Sequence, residues 1–408
     1  MNPRFVLAAL AAGLCGLAAA ADPPKPAPVP ELKLPDGVTP DSLDDPKEAA
    51  RVAELLEKQY PAPRSEGARM LIAILRGSKL NGTDGWFGPA KTRYTWAWLA
   101  ARHEIEPKAG EITKEKFRGP EKLFDALDRD GDGKVTPGDL DWSDRNPYVV
   151  QMNSVNRLFR GLDRSGDGRL TRDELDEFFK MASKGKDHVT AEDVRNLMIP
   201  RGRAGFSAGD GPSVPVLVRG LFAGEIGSIG EGPNPGDAAP DFTLKTAGGD
   251  GAVTLSRLIG PRPVVLLFGN FTCGPFRALY PDLEGVHRRF QGDATFLMVY
   301  VREAHPTDGW AMESNARAGV RVAQPTTLGE RAKVCDQFCR VLKPAMPVVV
   351  DEITDPAGTA YSGMPGRMYV IDRAGKVAYK SGRGPFGFRA GELEQALVMA
   401  LLEAGPGK

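Results

Sequence analysis

FGNFTCGPF, residues 268–276, decides how the carboxy-terminal half of this chain folds. Just before and into it, Val264 to Phe268 is an apolar run that is β-branched at its start, the pattern of a buried strand. After it, Phe276, Leu279, Leu283 and Val286 recur at helical spacing, and Gly274-Pro275 suit the opening of a helix. Cys273 therefore stands at a strand-to-helix turn. Unpaired backbone N–H groups and the positive end of the helix dipole favour thiolate over thiol there. That makes Cys273 a candidate nucleophile; the competing reading is a small buried hydrophobe. One strand later, REAHPTDGW at 302–310 supplies His305.

Strands are predicted at 263–269, 295–301, 347–351, 367–372 and 376–380, with helices after the first and between the second and third. Pro347 and Pro365 both precede strands, and either suits a cis bond near the thiol. FGNFTCGPF and REAHPTDGW resemble the active-site segments of the iodothyronine deiodinases. The resemblance continues through MPVVVDEITD (346–355), YSGMPGRMYVI (361–371) and KSGRGPFGF (380–388), and so spans roughly residues 236–403. It implies a thioredoxin-like α/β domain in which the insertion from Glu303 to Glu330, led by His305, shapes a substrate pocket. It also implies reductive dehalogenation, with the Cys273 thiolate attacking iodine while a proton reaches carbon. His305 would donate that proton or hold the phenolic group, Thr272 would hydrogen-bond near the sulfur, and Asn270 would do so in place of the family's usual serine. This chain departs from the vertebrate pattern at Cys273, where selenocysteine stands, at Phe271, where a cysteine is usual, and at Gly274, where a proline is usual. Sulfur is the weaker nucleophile and leaving group, and Phe271 removes the nearest resolving thiol.

The 408 residues suffice for two or three domains with real cores. The 53 basic and 53 acidic residues cancel, so no charge argument favours nucleic acid or an anionic membrane. Residues 1–21 read as a cleaved export signal: Arg4, an apolar stretch from Phe5 to Leu17, then Ala19-Ala20-Ala21. No second stretch of about 20 apolar residues follows, so no membrane span is expected. The expected location is secreted or periplasmic. Leu14 before Cys15 argues against a lipoprotein signal. Export leaves Cys273, Cys335 and Cys339, an odd number, and hence at least one free or exchangeable thiol. Cys335 and Cys339 are i and i+4 on a predicted helix with Cα atoms about 6 Å apart and parallel Cβ vectors, which disfavours a bridge between them. Either one resolves Cys273 during turnover, or both are packed core thiols.

Residues 22–42 form a proline-rich tether, and 43–200 a helical domain beginning with helices at 45–60 and 65–80. Trp86, Phe87, Tyr94, Trp96 and Trp98 are expected to build a small core. Two EF-hand loops follow. DRDGDGKVTPGD (128–139) places Asp128, Asp130, Asp132, Lys134 through its carbonyl, and Asp139 at positions one, three, five, seven and twelve. DRSGDGRLTRDE (163–174) does the same with Asp163, Ser165, Asp167, Arg169 and Glu174. Alternating oxygen ligands around a glycine turn wrap a hard cation, so two calcium sites are expected, the first weaker for the shorter Asp139. The loops start 35 residues apart and are expected to pair with each other through Val135 and Leu170. Residues 105–116 and 182–193 read as eroded copies without ligands. Residues 201–235, around LVRGLF, read as the connection between domains. His103, His188 and His287 are expected on the surface.

The fold class is thus multidomain, an α-helical EF-hand domain followed by an α/β thioredoxin-like domain at 236–403. The expected function is a calcium-binding, thiol-dependent oxidoreductase acting on a small-molecule substrate, an iodinated or halogenated phenol. It would need an external thiol reductant or redox protein, and a homodimer is compatible with the sequence. Two alternatives stand beside it: a cysteine peroxidase, and a calcium-binding adaptor with a vestigial thiol domain.

Overall fold

The computed structural model describes residues 32–403 apart from 63, 78–88, 144, 166, 199–211, 228, 385, 386 and 388. The export signal with Cys15, residues 22–31 of the tether, Trp86, Phe87 and the start of the interdomain connection lie outside the described residues. In chain order the described strands are β1 (Lys91–Thr92), β2 (Ile112–Thr113), β3 (Lys134–Val135), β4 (Thr243–Thr246), β5 (Ala252–Thr254), β6 (Val264–Gly269), β7 (Thr295–Tyr300), β8 (Val348–Val350), β9 (Arg367–Ile371) and β10 (Val377–Lys380).

Eight of them form one sheet in the order β1-β10-β9-β6-β7-β8-β4-β5. Strand β6 lies at its centre, parallel to β7 and antiparallel to β9, with all six residues buried. Both its faces are covered, which is why the run Val264–Phe268 is apolar without alternation. The five predicted strands are β6 to β10 within a residue or two at their ends. Helices on the two faces complete a thioredoxin-like domain.

The helices are α1 (Pro46–Gln59), α2 (Glu66–Leu75), α3 (Trp96–Arg102), α4 (Glu121–Leu127), α5 (Pro137–Leu140), α6 (Pro147–Leu162), α7 (Arg172–Ser183), α8 (Ala191–Met198), α9 (Val214–Phe222), α10 (Gly274–Phe290), α11 (Glu313–Arg317), α12 (Leu328–Leu342), α13 (Pro356–Ala360) and α14 (Ala390–Glu403). Helix α1 starts at Asp45, whose side chain caps the Lys47 N–H, and buries Ala49, Val52, Ala53 and Leu56 at helical spacing. These pack with α2 and with Leu217, Val218 and Leu221 of α9. LVRGLF, within the stretch read as the connection between domains, is therefore the end of a helix with a buried face that packs on α2 and on the helical turn at Pro40–Asp44.

Three expectations are corrected. First, loop 128–139 pairs with the eroded copy, Ile112 opposite Val135 in the β2–β3 ladder, and not with loop 163–174. The eroded copy lost its ligands but kept the buried apolar residue that the ladder needs. Second, His103 and His287 are buried, at 2% and 7% exposure. His103 accepts the Arg118 N–H and stacks on Phe117, and His287 packs edge-on against Phe296; only His188 is exposed. Third, residues 91–92 extend the sheet of the thiol domain, with Lys91 opposite Lys380 and Thr92 opposite Tyr379. One apolar cluster accordingly runs from Tyr94, Leu99, Phe124 and Val135 to Val265, Phe276 and Leu397. Tyr94, Trp96 and Trp98 belong to this larger core instead of a small one of their own.

Glu66, in the first turn of α2, joins the two halves at another point. It is 4% exposed and accepts hydrogen bonds from Arg367 and Arg383, each at 2.9 Å and each fully buried. Burial pushes its carboxyl up, but the Arg367, Arg383 and Lys380 charges win and hold it far below the usual range.

Candidate active site

Cys273 is the N-cap of α10, with Pro275 in the first turn, as the strand-to-helix reading requires. Gly269 ends β6 where a Cβ would meet the Phe276 ring at 2.3 Å, so the turn closes tightly on the helix. Asn270 holds that turn together. Its Oδ1 accepts from the Cys273 N–H at 3.0 Å and from the Ala304 N–H at 3.3 Å, and its Nδ2 donates to the Pro365 carbonyl at 2.9 Å. The Met364–Pro365 bond is cis, so Pro365 and not Pro347 is the proline beside the thiol. One side chain thus ties together the thiol turn, the stretch that leads to His305, and the cis-proline loop.

Thr272 makes the second tie. Its hydroxyl and its N–H both donate to Glu303 Oε2, at 2.7 and 2.8 Å, and the His305 N–H donates to its hydroxyl at 3.0 Å. Tyr300 donates to the other oxygen of Glu303, and its hydroxyl accepts the Phe271 N–H. Glu303 is 1% exposed; burial pushes its carboxyl up, against the Tyr300 and Thr272 hydrogen bonds. The ring of His305 lies edge-on to Trp310, and Nδ1 contacts the Trp310 carbonyl at 3.2 Å. A carbonyl only accepts, so Nδ1 carries hydrogen and Nε2 is the basic nitrogen of the neutral ring.

The Thr272 hydroxyl donates to Glu303, and the Asn270 amide bonds the Cys273 N–H, on the residue that carries the sulfur, and the Pro365 carbonyl. The structure corrects one expectation here. The thiol itself is fully buried, and burial raises it to about 11, more than the Phe276 N–H and the Arg277 charge bring it down. Desolvation of a thiolate outweighs the helix terminus in this closed arrangement. Cys273, Cys335 and Cys339 are free thiols. Cys335 is buried in the same apolar cluster as Cys273, Phe271 and Phe338, and its thiol is pushed up by its hydrogen bond to Cys339 and by burial. Cys339 is half-buried.

Sequence reasoning missed four residues of this site. Glu303 is the second residue of the quoted REAHPTDGW motif and Tyr300 lies two residues before it; a lone acid after an apolar strand was the available signal. Arg277 donates to the Phe271 carbonyl and to Asn315 Oδ1, and Asn315 Nδ2 donates to the Thr272 carbonyl at 2.7 Å. Nothing local marks Arg277 or Asn315, 38 residues apart, as partners.

In the first EF-hand loop, ligand oxygens of Asp128, Asp130 and Asp139 lie within 4.8 Å of one another. The Asp132 and Gly133 N–H groups turn inward onto Asp128. In the second, Glu174 Oε1 accepts from the Ser165 N–H at 3.0 Å, and the Ser165 hydroxyl donates to Asp163 at 3.2 Å. Positions one, three and twelve therefore converge in both, and oxygen donors of this kind fit a hard divalent cation. Position twelve also closes a capping box with Thr136 or Thr171. The Lys134 and Arg169 N–H groups each donate to the Asp two residues earlier, Asp132 and Asp167, which sets the backbone at position seven.

A family model for iodothyronine deiodinase matches residues 222–400, and one for the EF hand matches 121–141 and 155–179. Residues 222–400 are thus similar to the iodothyronine deiodinases. Thyroxine 5-deiodinase from Ovis aries is 34% identical over 137 residues, which is 33% of this chain and 44% of the sheep enzyme. Type I iodothyronine deiodinase from Xenopus laevis is 29% identical over 158 residues, 39% of this chain and 60% of the frog enzyme. The chain thus spans about half the length of these curated relatives, and its EF hands lie outside residues 222–400. Among solved structures, a thioredoxin-family thiol:disulfide interchange protein from Chlorobium tepidum aligns with 40% of this chain and 95% of its own, at 19% identity and a TM-score of 0.29. Among the described residues no helix is long and apolar enough to cross a membrane.

Proposed function

We propose that the deiodinase-like domain removes halogen reductively from a halogenated phenol at Cys273. What supports this reading is the deiodinase match at 222–400, taken together with a cysteine, Cys273, that caps a helix next to the buried Glu303–Thr272–His305 network. The substrate must first reach a thiol that is now covered, and Cys273 must lose its proton. The thiolate then forms an S–I bond as the C–I bond breaks, and the carbon takes a proton. An external thiol attacks the sulfenyl iodide, releasing iodide and leaving a mixed disulfide; a second thiol restores Cys273 and leaves as the oxidised disulfide. The protein contributes a buried carboxyl, Glu303, whose raised pKa suits proton storage, and a histidine, His305, whose basic Nε2 suits the phenol contact or, once it has taken up a proton, the proton donor. Cys335 or Cys339 would serve as the resolving thiol if the mixed disulfide forms within the chain.

Two calcium ions belong to the same proposal. Asp128, Asp130, Asp132, Asp139 and the Lys134 carbonyl would hold one, and Asp163, Ser165, Asp167, Glu174 and the Arg169 carbonyl the other. A bound ion supplies order to its loop and takes no part in the thiol chemistry. The amino-terminal apolar stretch would export the protein to a secreted or periplasmic place where such ions are plentiful.

The test is to offer the purified chain and its Cys273→Ser variant an iodinated phenol with a dithiol, and separately hydrogen peroxide. Iodide release that needs Cys273 is the expected result. Release that survives the substitution overturns the proposal, and peroxide loss without iodide release favours a peroxidase.

A further inference from the structure

The two EF-hand loops meet the rest of the molecule differently at position six. Gly133 and Gly168 both have positive φ, +85° and +77°, as the turn demands. Around Gly133 a Cβ would find nothing within 4 Å. At Gly168 it would lie 2.4 Å from the Ala278 carbonyl oxygen and 2.7 Å from Pro281, both on α10. The second loop therefore rests directly on the helix that Cys273 caps, and the first does not.

At this contact the loop brings a charge to the thiol site. The Asp163 carboxylate, at position one, accepts the Gly168 N–H at 2.9 Å, so it stands where the loop rests on Ala278, the neighbour of Arg277, and its charge favours the charged form of that guanidinium. Arg277 is 3% exposed, sits one turn into α10, and stacks over the Phe271 ring at 5.8 Å. Through the Phe271 carbonyl directly, and the Thr272 carbonyl by way of Asn315, it grips the two peptide units that precede Cys273.

We infer that Arg277 is a positioning residue for Cys273, and that loop 163–174 is an effector site whose cation acts on Arg277 through the charge of Asp163. A divalent ion that recruits the Asp163 carboxylate removes the counter-charge of a buried guanidinium and adds a like charge near it. The Arg277 grip on residues 271 and 272 then loosens, and the covered thiol becomes more accessible. Linkage makes the effect reciprocal: whatever opens the Cys273 turn raises calcium affinity at the second loop alone. The inference rests on calcium binding at that loop but not on the deiodinase chemistry.

The experiment uses the full chain. Calcium binding is followed by titration calorimetry, and the rate of Cys273 modification by iodoacetamide is read by peptide mass spectrometry, which separates it from Cys335 and Cys339. Calcium is expected to speed modification roughly 5-fold or more. The acceleration should vanish in Glu174→Gln and persist in Asp139→Asn. In Arg277→Met, modification should be fast with and without calcium, and alkylated protein should bind calcium more tightly at the second loop. Absence of calcium binding at loop 163–174 overturns the inference through its premise. Binding without acceleration, acceleration lost equally in both loop variants, or an undiminished calcium response in Arg277→Met overturns the coupling itself. Should Arg277→Met fail to fold, the two loop variants decide the matter alone.

Discussion

Glu66 and Glu303 are both carboxylates that the fold removes from water, at 4% and 1% exposure, and they are held in opposite ways. Around Glu66 stand two buried guanidinium groups and Lys380, so the carboxylate keeps its charge. Around Glu303 stand only two hydroxyls and a peptide N–H, whose hydrogen bonds favour the carboxylate less than burial disfavours it, so its proton is held more tightly than in water. Fixed cations make a buried acid a fastener, whereas neutral donors leave it a proton store. The first lies between the amino-terminal helices and the sheet, the second beside the thiol, and the division of labour follows the neighbours and not the residue type.

The largest effect is expected where the fastener is cut. Glu66→Ala leaves Arg367 and Arg383 buried without a carboxylate, and should cost about 3–5 kcal/mol, read by denaturant unfolding. Glu66→Gln should fall nearly as far, because an amide keeps the shape but not the charge. Next in size, Glu303→Gln should lower iodide release about 100-fold while leaving the unfolding midpoint near neutral pH unchanged or higher. A variant that loses stability as Glu66→Ala does, and no activity beyond that, would erase the distinction.

The pH dependence separates the two with a smaller signal. For Glu303 the folded-state pKa is raised above 4.5, so its contribution is complete below that pH and is lost as pH rises through the folded value. For Glu66 the folded pKa is lowered, so its contribution is present above 4.5 and is lost as pH falls. Thermal midpoints taken from pH 4 to 8 should therefore show the wild type losing ground to Glu303→Gln as pH rises. Its margin over Glu66→Gln should hold across the same rise. Smallest of all, Thr272→Val removes one of the two hydroxyl donors to Glu303 and should cost about 1 kcal/mol. It should also raise the carboxyl further, visible as an upward shift of the acid limb of the activity profile.

Sequence reasoning reached the central sheet and the thiol turn because both are local. Val264–Gly269 is apolar throughout, and Gly274-Pro275 mark the helix after only four intervening residues. The EF-hand loops were legible for the same reason. The pairing of hands was not, since Ile112 carries it and the missing ligands around Ile112 pointed the other way. Glu66 reads as an ordinary acid in a first helical turn, favoured there by the dipole; its partners Arg367 and Arg383 are 301 and 317 residues away. The state of Cys273 was misread because a helix terminus shows in sequence and the depth of burial does not.

Strand β1 is two residues long, yet it covers part of β10, a strand that would otherwise be an outer rim of the sheet. Bare rims offer rows of unsatisfied amides to any passing chain. Cutting the protein at 236 to isolate its thiol half would strip that cover and the apolar face of α4 against α14 together. The piece so made should stick to copies of itself, and the amino-terminal half is as much a guard against clumping as a neighbour.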